Sequence, residues 1–250
     1  MRFFPAPALM LASAVALAFA PLAPAQENTM QPAAPAVAAH FAKIDPHNLS
    51  AVLPDPPETG SLAANADLET VRQVQAMRTP EQVAWAQAVD RNDLFEVFGA
   101  GGLLGPNFKK ENFPRLIALI KEVNDDLRPM VDASKKRYAR PRPYAVDSRI
   151  KPCVSLPTND SYPSGHTYTG TMRAAVLAEV FPEKRDELFE RARYFAWGRV
   201  LGGVHFPTDL EGGRRIAEAG MAEIKKSAAF RAAVEKCRAE AAAVGMKKAA

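Results

Sequence analysis

Residues 163–201 read PSGHTYTGTMRAAVLAEVFPEKRDELFERARYFAWGRVL, and this stretch decides the fold class. Ser164 follows a proline and opens a run without β-type alternation, so Ser164 to Val180 reads as a helix stopped by Phe181-Pro182. Glu183 to Leu201 reads as the next helix. Leu188, Phe189, Ala192, Phe195 and Ala196 recur there at about 3.6 residues, and Gly202-Gly203 ends the run.

The same grammar extends in both directions. Downstream, Thr208 to about Lys225 and Ser227 to Val244 are helical. Upstream, Pro114 opens a helix with Leu116, Ile117, Leu119, Ile120 and Val123 inward, and Pro129 marks a break or restart before the piece carrying Lys135. Thr79-Pro80-Glu81-Gln82 combines a cap, a proline at the first helical position and a capping-box glutamine, opening a helix to about Asp90. Ala66 to Met77 carries Leu68, Val71 and Val74 on one stripe. Arg140 to Pro157, with four prolines, reads as a loop, as does Gly99 to Asn107 (GAGGLLGPN). The latter lacks the spacing and Lys-Ser/Thr ending of a nucleotide-binding P-loop. No alternating strand and no internal repeat is found. The expectation is all-α: a single helical-bundle domain over 61–246, large enough to bury a core.

The ends read differently. Arg2 followed by the uncharged apolar run Ala8–Ala20 and the Ala23-Pro24-Ala25 cleavage pattern marks residues 1–25 as a signal peptide. Cleavage after Ala20 would leave Pro21 first, which disfavours that site. The run is too short for an anchor, and charges interrupt every later apolar stretch. A periplasmic protein without a membrane partner is expected. Residues 26–60, rich in Pro and Ala, read as an extended N-terminal segment.

Of the formal net charge of +4, loss of the leader's single arginine leaves about +3. Lysines and arginines alternate with acids, as in Glu183-Lys184-Arg185-Asp186-Glu187, which argues against a nucleic-acid face. The slight positive bias suits phosphorylated small molecules. Two cysteines, Cys153 and Cys237, are expected to pair as a disulfide in an oxidising compartment, and neither has the neighbours of a metal site.

Three ordered fragments carry the chemistry: Lys135-x6-Arg142-Pro143, Pro163-Ser164-Gly165-His166 and Arg199-x5-His205-x3-Asp209. Ser164-Gly165-His166 sits where a proline-rich loop becomes a helix. The first backbone N–H groups there lack intrahelical partners and the dipole is positive, which suits a phosphate oxygen. His205 and Asp209, four apart across a helix start, can place a carboxylate on the imidazole Nδ1 and leave Nε2 nucleophilic. Arg142 and Arg199 offer planar forks and Lys135 a compact charge. Taken singly, each cation reads as an ordinary surface residue; Lys136, Arg137 and Arg140 crowd the choice around Lys135.

At these intervals the residues resemble the signature K-x6-RP, PSGH, SR-x5-H-x3-D of the type 2 phosphatidic acid phosphatase and vanadium haloperoxidase superfamily. Within it, the chain is similar to the bacterial class A non-specific acid phosphatases. The likeness runs from roughly Leu53 through the helix after Asp209 and takes in LPDPPETGS, LGPNF and IKPC. The resemblance implies a helical bundle of that kind and acid phosphatase activity over a broad range of phosphate monoesters. It makes His205 the nucleophile forming a phosphohistidine, Asp209 its orienting partner and His166 the general acid. Lys135, Arg142, Ser164, Gly165 and Arg199 become the phosphate cradle. It also implies a homodimer that needs no cofactor and no metal. One departure stands out: Gly198 occupies the position of the signature's serine, removing a hydroxyl that could support the cradle. The competing expectations are a vanadate-dependent haloperoxidase, for which the chain is short, and a non-catalytic periplasmic anion-binding protein.

Overall fold

Side-chain oxygens start several of the helices in the computed structural model, which describes residues 39–45 and 52–246. Ser61 caps α1 (Leu62–Met77), and Thr79 with Gln82 forms a capping box on α2 (Pro80–Arg91). Asp93 caps α3 (Leu94–Gly99). After α4 (Pro114–Tyr138) and the single turn α5 (Pro143–Val146), Ser164 caps α6 (Gly165–Val180). Then come α7 (Arg185–Leu201), α8 (Pro207–Ile224) and α9 (Ala228–Ala243), the last capped by Ser227. No strand occurs among the described residues, and no helix there is long and apolar enough to cross a membrane.

Helix α6 lies at the centre. Twelve of its sixteen residues are buried, and it packs against α7, α8, α4 and α9. A helix enclosed on all sides needs no apolar stripe, and α6 meets this with small residues and threonines as well as Met172, Val176 and Leu177. Gly170 lies against the buried Phe195 ring of α7, whose removal from water contributes about 2–3 kcal/mol. Phe95, Phe108, Phe113 and Phe181 stack edge-to-face and tilted at one end of the core.

The start of α8 is pressed onto the start of α6. A Cβ on Gly213 would sit 2.3 Å from the Ser164 carbonyl oxygen and 3.0 Å from the Tyr168 nitrogen, so only glycine allows this approach. The Ser164 N–H donates to the Asp209 carbonyl at 2.9 Å. Two fragments far apart in sequence thus share one corner of the bundle.

Several expectations need correcting. Helix α4 continues through Pro129 instead of breaking. The ring lies on its exposed side, where the carbonyl it frees can reach water, while Leu127, Met130 and Val131 hold the opposite face in the core. The stretch read as one loop from Arg140 contains α5, and the glycine-rich stretch opens with the end of α3 and a 3-10 turn at Ala100–Gly102. Cys153 and Cys237 are free thiols. Cys153 points its sulfur at the Leu201 carbonyl, 3.7 Å away at the end of α7. Cys237 is buried on α9 near Arg115 and Glu240, its thiol pushed up to about 12 by burial. The two belong to different contacts, and no disulfide joins them.

The signal peptide expected at residues 1–25 lies outside the described residues, as do residues 26–38 and 46–51 of the extended segment. The remainder of that segment has no helix or strand. At residues 40–42 three main-chain N–H groups converge on the Asp126 carboxylate at 2.7–3.1 Å, and the Phe41 ring stands edge-on to Phe230.

Candidate active site

Pro207 starts α8, and its first turn brings Asp209 back over the preceding loop. One carboxylate oxygen, Oδ2, accepts the Phe206 N–H at 2.9 Å, capping the helix, and contacts His205 Nδ1 at 3.1 Å. The Ser161 hydroxyl donates to the same oxygen at 2.5 Å, and Arg140 Nη1 donates to Oδ1 at 2.7 Å. With Nδ1–H donating to the carboxylate, His205 Nε2 carries a lone pair, 3.1 Å from Arg142 Nη1. His205 is 2% exposed and Asp209 fully enclosed. Burial pushes the His205 pKa well below its ordinary value, against the pull of Asp209. Burial alone would raise the Asp209 carboxyl, but His205, Arg140 and Ser161 more than offset this and hold it below the usual range.

The three cations singled out in the sequence are buried: Lys135 is 6%, Arg142 5% and Arg199 1% exposed. That excludes the reading of solvated surface charges. Of the neighbours that crowded the choice, Lys136 and Arg137 are exposed and Arg140 is buried. Lys135, in the last turn of α4, donates to the Asp160 and Ser161 carbonyls. Burial, reinforced by Arg142, lowers its ammonium to about 7. Arg142, the residue before α5, faces His205. Its Nε reaches the Asn159 carbonyl and Nη1 the Val204 carbonyl, both at 2.7 Å. Arg199, in the last turn of α7, holds Asp90 of α2 at 2.6 Å.

At the serine turn, the Ser164 hydroxyl accepts the Thr167 N–H at 3.2 Å. A Cβ on Gly165 would find only Arg128 Nη1, 4.0 Å away, so the backbone at this helix start is open to close approach. His166 follows. Burial, then the Arg199 charge, lowers it to about 3, with Asp90 acting in the opposite direction. Two buried nitrogens, His166 Nε2 and Arg199 Nε, have no hydrogen-bond partner in the protein. Buried donors and acceptors are seldom left so. An oxyanion bonded to Arg199 would offset the mutual repulsion of the cations as well.

Contacts therefore link Lys135, Arg142, Ser164, His205 and Asp209 into one site, and Arg199 and His166 act on one another across its edge. Four participants went unread in the sequence. Arg140 was hidden among neighbouring cations, and Asp67, which pairs with Arg140 Nη2 at 2.8 Å, Asp90 and Ser161 had no local pattern to mark them. Among the described residues no group of three or more His, Cys, Asp or Glu side chains is placed to hold a metal ion.

The PAP2 superfamily model matches residues 125–229, which span the three sequence fragments from Lys135 to Asp209. The chain is 29% identical over 202 residues to a non-specific acid phosphatase of Providencia stuartii, covering 76% of this chain and 79% of that protein. It is 30% identical over 198 residues to a non-specific acid phosphatase of Salmonella typhimurium, covering 75% of this chain and 78% of that protein. Among solved structures, an apo-type bacterial vanadium-dependent chloroperoxidase is similar with a TM-score of 0.56 at 14% identity, over 80% of this chain and 55% of the other. At that identity the likeness concerns the fold alone.

Proposed function

The chain belongs to the PAP2 superfamily, and from that premise we propose that it is an acid phosphatase that hydrolyses small phosphate monoesters through a phosphohistidine. The observation that carries this reading is the His205 imidazole, held by Asp209 at Nδ1 and presenting an unprotonated Nε2 to Arg142. Binding alone would need the cations but not an oriented nucleophile.

In the first displacement the Nε2 lone pair attacks phosphorus in line while the bond to the ester oxygen breaks. Lys135, Arg142, Arg199 and the backbone at Ser164-Gly165 gather the equatorial oxygens. His166 gives a proton to the departing oxygen. Water then attacks the phosphohistidine, His166 takes a water proton, the P–N bond breaks and orthophosphate leaves. In the free protein burial, with the Arg199 and Arg142 charges, favours the neutral form of His166, so the ring takes up its proton only once substrate is bound. A bound phosphate counters the Arg199 and Arg142 charges that depress it, and acid pH supplies the proton.

The cradle neutralises the transferring group with side chains, so turnover needs no metal. In this scheme His166 is the one group assigned to the ester oxygen, which would leave the alcohol loosely specified and favour a broad range. Export by the residue 1–25 leader would put the domain of residues 61–246 in the periplasm as a homodimer, acting without nucleic acid or membrane. Hydrolysis of p-nitrophenyl phosphate in EDTA tests the core of this. Wild-type turnover persists under chelation, and His205→Ala, folded by circular dichroism, loses at least about 10³-fold in kcat. A His205→Ala variant with wild-type turnover removes the nucleophile assignment, whereas a wild type that binds phosphate but hydrolyses no ester is an anion-binding protein.

A further inference from the structure

A second buried carboxylate stands behind the histidine pair. Asp67 of α1 is 4% exposed and lies far from the site in sequence. Its Oδ2 accepts Arg140 Nη2 at 2.8 Å and its Oδ1 the Thr208 N–H at 3.2 Å; the Thr208 hydroxyl donates to it as well. Arg140 reaches the other way with Nη1, to Asp209 Oδ1 and Thr208 Oγ1, each at 2.7 Å. Its guanidinium lies 4.2 Å over the Phe206 ring.

We propose that Asp67 and Arg140 are positioning residues that fix the Asp209 carboxylate and keep a net negative charge behind His205. The inference rests on His205 being the nucleophile. Arg140 alone beside Asp209 would make a neutral pair and cancel the charge that the histidine needs when it takes phosphorus. Adding Asp67 returns the buried group to a net charge of −1, because two carboxylates share one guanidinium. The planar fork serves both acids at once with fixed spacing, so Asp209 Oδ1 is occupied and Oδ2 stays committed to Nδ1. Asp67 touches neither His205 nor the space before it and acts only through Arg140 and Thr208.

The other charged or titratable groups facing His205 are Lys135 of α4, Arg142 of the connecting loop and Asp209 of α8; the Ser161 hydroxyl lies 3.5 Å from Nδ1. Only Asp209 among them supplies negative charge, so weakening it is not compensated locally.

The test compares wild type, Asp67→Asn, Arg140→Lys and His205→Ala by kcat, KM and pH profile on p-nitrophenyl phosphate, with unfolding followed in parallel. Asp67→Asn keeps the shape and an acceptor for Thr208 but leaves Arg140 and Asp209 neutral as a pair. Its kcat falls about tenfold or more, the range usual for outer partners of a working histidine, while KM changes little. The acid limb of kcat/KM moves to lower pH, because His205 loses negative charge that favours its protonated form. Arg140→Lys keeps the charge but not the fork, so it retains the pH limb while lowering kcat. Unchanged kcat and an unmoved acid limb in Asp67→Asn overturn the proposal, as does a loss matched only by a smaller folded fraction. Full activity in His205→Ala instead overturns the reading beneath it.

Discussion

Restoring the signature's serine, Gly198→Ser, is expected to damage this protein. A Cβ at position 198 would lie 2.7 Å from Val89 Cγ2, 3.1 Å from its Cβ and 3.2 Å from its Cγ1. Ordinary carbon contacts are about 3.5–4.0 Å, so roughly 1 Å is missing. Val89 is fully buried and β-branched in a helix, which leaves it one favoured rotamer and little room to yield. Helix α2 must therefore retreat from α7, at about 1–3 kcal/mol for overpacking. The next residue, Asp90, pairs with Arg199, the residue after Gly198, at 2.6 Å. A shift of about 1 Å stretches that bond beyond useful length and leaves a buried guanidinium without its carboxylate, adding about 1–3 kcal/mol. The sum, about 2–4 kcal/mol after partial relaxation, lowers Tm by roughly 5–15 °C in a domain of this size. Activity is expected to fall too, since Arg199 is proposed as a cradle residue. Denaturant unfolding and kcat/KM of Gly198→Ser, Val89→Ala and the double variant form the assay. Val89→Ala opens the space the serine needs, so the double variant is more stable than the sum of the single changes by at least about 1 kcal/mol. Wild-type stability in Gly198→Ser, or coupling within about 0.5 kcal/mol of zero, refutes the packing argument.

Inorganic phosphate at about 100 times its Kd is expected to stabilise the fold by about 2.7 kcal/mol, read as a rise in melting temperature. The rise shrinks in Lys135→Met, which removes a cation lowered to about 7 by burial. Stability also depends on pH. His166 falls from 6.5 to about 3 on folding, so the unfolded chain binds more protons between those values. Its contribution is complete above 6.5 and lost as pH falls toward 3, and the lowered Asp209 carboxyl acts with the same sign. Urea midpoints therefore drop from about pH 7 to pH 4, less steeply with phosphate present, which favours protonated His166. A midpoint that rises on acidification contradicts the buried, neutral state of this ring.

Much of this architecture was legible in local signals. Thr79 and Gln82, Ser164, Pro207 and the stripe from Leu188 to Ala196 announce helices because capping and periodicity involve residues within one or two turns of each other. The spacing of the three motifs singled out Lys135, Arg142, Ser164 and Arg199, all of them buried, although Lys135 was expected beyond a break in α4 and Arg142 inside a loop where α5 begins. Pro129 misled because its cost is local while the burial of Leu127, Met130 and Val131 that holds α4 together is not. Cys153 and Cys237 misled because pairing depends on where two elements pack, and composition says nothing of that.

By itself, then, the sequence determined the helical class and several helix starts, and it singled out the side chains proposed to handle a phosphate. Tertiary structure alone decided that Lys135 and Arg140 are buried while Lys136 and Arg137 are not, that Asp67 pairs with Arg140 and Asp90 with Arg199, and that glycine at 198 lies against Val89. The division follows from range. Hydrogen-bonded turns are written in neighbouring residues, whereas burial, charge pairing and the clearance between α2 and α7 arise only when distant segments exclude water from one another.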